Sequence, residues 1–73
     1  MQNYYGVKTQ ISDDGFWDVS PLISRGERKP DDTTEEGREG LVVKNWYDAE
    51  SLARLAYHKR TETMRQLASE GAV

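Results

Sequence analysis

Two alternating runs on either side of an Asp-Gly turn constrain this chain more than any other feature. In residues 4–11, Tyr5, Val7, Thr9 and Ile11 share one face, and Gly6, Lys8 and Gln10 share the other. A period of two in β-branched and aromatic residues is the pattern of a half-buried strand. Ser12-Asp13-Asp14-Gly15 follows, and Asp and Gly both accept the positive φ that tight hairpins use. Residues 16–23 alternate again, with Trp17, Val19 and Ile23 opposed to Phe16, Asp18, Ser20 and Leu22. Pro21 has no amide donor, so this return strand belongs at a sheet edge or leaves the sheet there.

The next segment has a different character. Between Gly26 and Gly40 lie thirteen residues, nine of them charged and none apolar. Such a stretch cannot offset the entropy of ordering by burial, and residues 27–39 read as a mobile charged loop. Alternation resumes at residues 41–47, where Leu41, Val43, Asn45 and Tyr47 oppose Val42, Lys44 and Trp46. Asp48 is well placed as a helix N-cap. Beyond it, Ala49, Leu52, Ala53, Ala56, Thr63, Met64 and Leu67 fall on one helical face, with Gly71 as terminator. The expected fold is α+β: a single domain over residues 1–73, with a small three-stranded antiparallel sheet in the order β-β-loop-β-α and one C-terminal helix packed on one face.

Size and composition limit the chemistry. A chain of 73 residues buries only about 60% of its unfolded surface, which leaves no depth for an enclosed substrate pocket. There is no cysteine and one histidine, His58, set in the charged run Tyr57-His58-Lys59-Arg60. Thiolate metal sites, disulfides and cysteine nucleophiles are thereby excluded, and no phosphate-cradling glycine motif is present. No general base with an oriented partner can be identified, so the expectation is a binding protein without catalytic residues, metal or cofactor. No stretch is long and apolar enough to cross a bilayer and no signal pattern opens the chain, so a cytoplasmic location is expected.

Three groups of residues compete as binding surfaces. The acids Asp31, Asp32, Glu35 and Glu36 lack the spacing of a calcium loop; they read as a solubilising linker or as an arm that steers a basic partner segment. Tyr4, Phe16 and Trp17 beside Asp18 form an aromatic and acidic group suited to a protein contact. A base-stacking platform would want Lys and Arg beside the aromatics, and their sequence neighbours are mostly Asp. On the helix, Arg54, His58 and Arg65 fall within roughly a 40° arc, a stripe for phosphate contact or a solvated face. Net charge is −3, with ten acids against six bases in residues 1–48 and three against four in residues 49–73. That balance disfavours a general nucleic-acid-coating role.

In length, acidity and layout, with Tyr4-Tyr5, Asp13-Asp14-Gly15-Phe16-Trp17 and the charged 27–39 stretch, the chain resembles the small bacteriophage proteins that bind host bacterial RNA polymerase, block promoter use and promote terminator read-through. The resemblance implies a non-enzymatic protein-binding module acting in the host bacterial cytoplasm. A nucleic-acid-binding regulator using the Arg54/His58/Arg65 stripe, or an anti-defence inhibitor of a nuclease, are the alternative readings.

Overall fold

The computed structural model describes residues 1–15, 17–38 and 40–71. It contains β1 (Gln2–Ile11), β2 (Trp17–Gly26), β3 (Thr33–Gly37), β4 (Gly40–Tyr47) and α1 (Glu50–Gly71). The four strands form one antiparallel sheet in the order β2-β1-β4-β3. The fold is α+β with a C-terminal helix, but the sheet has four strands where the sequence pointed to three. The additional strand, β3, lies within the stretch read as a loop. It pairs with β4 across a two-residue connection, Gly37 opposite Gly40. Its Thr-Thr-Glu-Glu-Gly sequence carries no apolar alternation because all five residues are exposed at the sheet edge.

The first hairpin closes as its sequence requires. The amide of Gly15 donates to the carbonyl of Ser12 at 2.9 Å, and Gly15 adopts φ +87°. Past this turn, Ile11 faces Trp17 and the pairing continues without a break to Gln2 opposite Gly26. β2 is an edge strand, which tolerates the missing amide of Pro21, and it extends beyond that proline. Gly40 adopts φ +121°, and a side chain there would collide with the backbone of Ile11 and Ser12.

Directly opposed residues of antiparallel strands share a face. One face therefore holds Tyr5, Val7, Thr9 and Ile11 of β1, Trp17, Val19, Pro21 and Ile23 of β2, and Leu41, Val43, Asn45 and Tyr47 of β4. This is the richer in apolar groups, and α1 lies across it. Val7 and Ala53 are buried there at 1% and 5% exposure, with Thr9 beside them at 4%. The opposite face, with Tyr4, Lys8, Gln10, Asp18, Ser20, Leu22, Val42, Lys44 and Trp46, carries no helix.

The helix departs from its sequence reading in two respects. Its first turn is closed by the carbonyl of Ala49, which accepts from Leu52 and Ala53 at 3.1 and 3.2 Å. Ala49 thus occupies the capping position, and Asp48 instead pairs with Lys29 at 3.1 Å. The buried stripe is also rotated. Ala53, Ala56, Tyr57, Arg60 and Met64 are turned inward, while Leu52 and Leu67 are half exposed. Arg60, in the middle of that stripe, donates from Nη1 to Thr9 Oγ1 at 2.9 Å. α1 runs unbroken through Thr61 and Thr63, whose hydroxyls donate to the carbonyls of Tyr57 and Lys59 four residues back.

Candidate interaction surfaces

A groove separates α1 from the outer edge of β2. Tyr5, Pro21 and Ile23 of the sheet and Ala53 and Tyr57 of the helix line it, and it encloses about 340 Å³. Glu50 and Arg54 form its rim, joined by an ion pair at 2.6 Å. Ile23 stands at its mouth with 70% of its surface exposed. The helix supplies two further large apolar groups in solvent, Leu52 at 50% and Leu55 at 52%. The chain exposes 5700 Å² in all. A compact monomer of 8.4 kDa exposes about 4,600 Å² by the usual scaling of surface with mass. The excess, about 1,100 Å², exceeds the roughly 800 Å² that each partner contributes to a standard protein interface.

The second surface is the sheet face without a helix. Its middle is built on Gly6, which lies opposite both Leu22 of β2 and Trp46 of β4. The Trp46 ring overlies this glycine so closely that a Cβ on Gly6 would stand 2.8 Å from Cε3 and 3.0 Å from Cδ2. The carbonyl of Asn45 would be 2.6 Å away as well. Tyr4 shares the face, and its hydroxyl bonds to Gln2 Oε1 at 2.9 Å and the Glu27 carbonyl at 3.1 Å.

Asp32 fixes the outer side of β4. Its Oδ1 accepts from the backbone amide of Trp46 at 2.7 Å, and its Oδ2 from Asn45 Nδ2 at 3.4 Å. The Trp46 amide is the main cause holding the Asp32 carboxyl below the usual aspartate value. Desolvation, the next largest effect, opposes it, and Asn45 and the charges of Lys29 and Arg60 add to the lowering. Asp32 is thus a strand-pairing group, engaged with β4 rather than held out for a partner.

The residues singled out from sequence are dispersed by the fold. Tyr4 and Asp18 lie on the uncovered face, while Trp17 lies on the helix-covered face opposite Ile11. Phe16 lies outside the described residues. Asp31 is exposed, and Glu35 and Glu36 alternate across β3 on different faces. These positions do not converge on one site. On α1, Arg54 is engaged by Glu50, and His58 meets the Tyr57 ring edge-on at 5.8 Å between centroids. Sequence reasoning overlooked Ile23, Lys8 and Lys44 as surface groups. Period-two alternation did assign them to faces, but their neighbours come from the strand register.

Among the described residues there is no cluster of three or more His, Cys, Asp or Glu side chains able to hold a metal ion, and no helix is long and apolar enough to cross a membrane. The chain matches no protein-family model, no curated protein and no solved structure.

Proposed function

We propose that this chain is a non-enzymatic protein-binding module that docks through the groove between α1 and β2 and inhibits or redirects a larger complex. The observation that carries this reading is the groove itself, walled by Tyr5, Pro21, Ala53 and Tyr57, with Ile23 70% exposed at its mouth. Burying Ile23 and the walls formed by Tyr5, Pro21 and Tyr57 would contribute the anchor-in-pocket contact that dominates protein interfaces. Strand addition is a poorer use of these edges. Pro21 deprives β2 of an amide donor, and β3 is five residues long with two glutamates. The partner therefore presents a side chain or an amphipathic helix to the groove. Exposed acids on the β1–β2 turn and on β3 would steer a basic partner surface during encounter.

Bacterial RNA polymerase, the target of the phage proteins that the chain resembles, is the first complex to test. The experiment is retention of bacterial proteins from nuclease-treated lysate on the tagged chain, compared with Ile23→Glu. Stoichiometric recovery of polymerase subunits that Ile23→Glu abolishes, at an unchanged melting temperature, supports both groove and target. Recovery of polymerase unaffected by Ile23→Glu removes the groove from the reading. No stoichiometric partner in the nuclease-treated lysate counts against the protein-binding module itself.

A further inference from the structure

The sheet face opposite the helix carries a feature that groove docking leaves unused. β1 and β4 are the two central strands, and their register sets Lys8 directly against Lys44. Like charges directly opposed across strands are destabilising. Among the described residues neither ammonium takes part in an ion pair. Next along β4 on the same face is Trp46, lying over Gly6, and diagonal to it on β1 is Tyr4. Two aromatic groups and two cations thus occupy neighbouring positions at the centre of an open sheet.

We propose that this face binds single-stranded nucleic acid, with a base stacked on Trp46, Tyr4 as a neighbouring platform, and backbone phosphate held by Lys8 and Lys44. The pieces fit that occupant for separate reasons. Stacking needs a ring held flat with its outer side open, and the absence of a side chain at Gly6 lets the indole settle onto the strand. Phosphate relieves the repulsion of the paired ammoniums, with which no carboxylate of the described residues forms an ion pair. Asp18 and Glu35 belong to the two outer strands on this face, so the positive charge is confined to its centre line. That arrangement reconciles local anion binding with a net charge of −3. A second copy laid face to face would set lysine against lysine, and an acidic peptide would leave the ring faces unused. Because the groove lies on the other side of the sheet, this inference stands or falls independently of protein docking.

The test is fluorescence anisotropy with a labelled single-stranded oligonucleotide of about ten nucleotides, at about 50 mM salt and above. The wild-type chain, Lys8→Thr with Lys44→Thr, Trp46→Leu, and Arg54→Ala with Arg65→Ala are compared. The expected result is binding that the lysine pair variant weakens by about tenfold or more, or about 1.4 kcal/mol. Its salt slope should fall by about 1.4, at about 0.7 per phosphate contact on a single strand. Trp46→Leu should weaken binding without reducing the salt slope, and the helix variant should bind as wild type. The lysine variant should melt no lower than wild type, so its loss cannot be misfolding. Absence of binding by the folded wild-type chain overturns the proposal. So does displacement by polyglutamate as effective as by unlabelled oligonucleotide, or a loss confined to the Arg54/Arg65 variant.

Discussion

The two faces of the sheet are made by the same strands but hold different chemistry. On the covered face, Val7 and Thr9 are enclosed beneath α1, Ala53 seals them from above, and Arg60 spans to Thr9. On the uncovered face Trp46, Leu22 and Val42 are only partly buried, and two lysines stand directly opposed at its centre. Burial stabilises the first arrangement. The second keeps a like-charge pair that costs stability, and it is stable only because the other face carries the fold. The difference teaches that burial is concentrated on one side of the sheet, while the other side keeps a cross-strand charge repulsion at its centre.

Equivalent truncations on the two faces are the strongest way to break that contrast. Val7→Ala should cost about 2–3 kcal/mol, the transfer free energy of the lost methyl groups plus a cavity that Ala53 cannot fill. Val42→Ala, on the open face, should cost no more than about 1 kcal/mol, since half-exposed methyl groups give up less on removal. Equal costs in urea denaturation would mean that the uncovered face is buried too.

Gly6→Ala attacks the junction between the faces. The added methyl meets both the Trp46 ring and the Asn45 carbonyl, and the backbone oxygen cannot move aside cheaply. A loss of about 1–3 kcal/mol is expected, with displacement of the indole. Tryptophan emission in a Trp17→Phe background reports that displacement; unaltered emission and stability would show that the ring does not rest on Gly6.

Ala49→Ser sharpens the covered side by supplying a hydroxyl where the first turn of α1 now lacks a capping side chain. The gain should be about 1 kcal/mol in thermal or chemical unfolding. On the uncovered side, Lys8→Thr should stabilise by about 0.2–1 kcal/mol through relief of the cross-strand repulsion. A destabilised Lys8→Thr protein would mean that Lys8 makes a favourable contact in the fold.

The smallest effect is the acid response of Asp32. Its carboxyl titrates lower in the folded chain than in the unfolded one, where aspartate has a pKa of about 3.9. Its contribution is therefore fully present above that value and lost as pH falls through the depressed folded value. Asp32→Asn should flatten the loss of stability below about pH 4 relative to wild type. An identical acid limb in both proteins would show that the bond to the Trp46 amide does not depend on ionisation.

Local chemistry made much of this legible. The alternation of residues 4–11 and 41–47 assigns every side chain to a face, and Asp14-Gly15 marks the first hairpin, because both signals depend only on near neighbours. The apolar run after Asp48 likewise marks a helix and places Arg60 within its stripe. β3 was not legible, since its stability comes from the hydrogen bonds of β4 and the Asp32 contact with Trp46 rather than from its own side chains. The candidate sites suffered most. Chain neighbours placed acids beside the aromatics, whereas cross-strand neighbours put Lys8 and Lys44 beside Tyr4 and Trp46.

What the sequence by itself determined, then, is the alternation, the first turn, the helix and the faces of residues 4–11 and 41–47. The tertiary structure alone decided which face α1 covers, that Arg60 meets Thr9 across 51 residues of chain, and that two lysines 36 positions apart become partners. The reason is physical. Period and turn chemistry act within a few residues, but register and helix placement are set by the summed burial of groups that only the folded chain brings together.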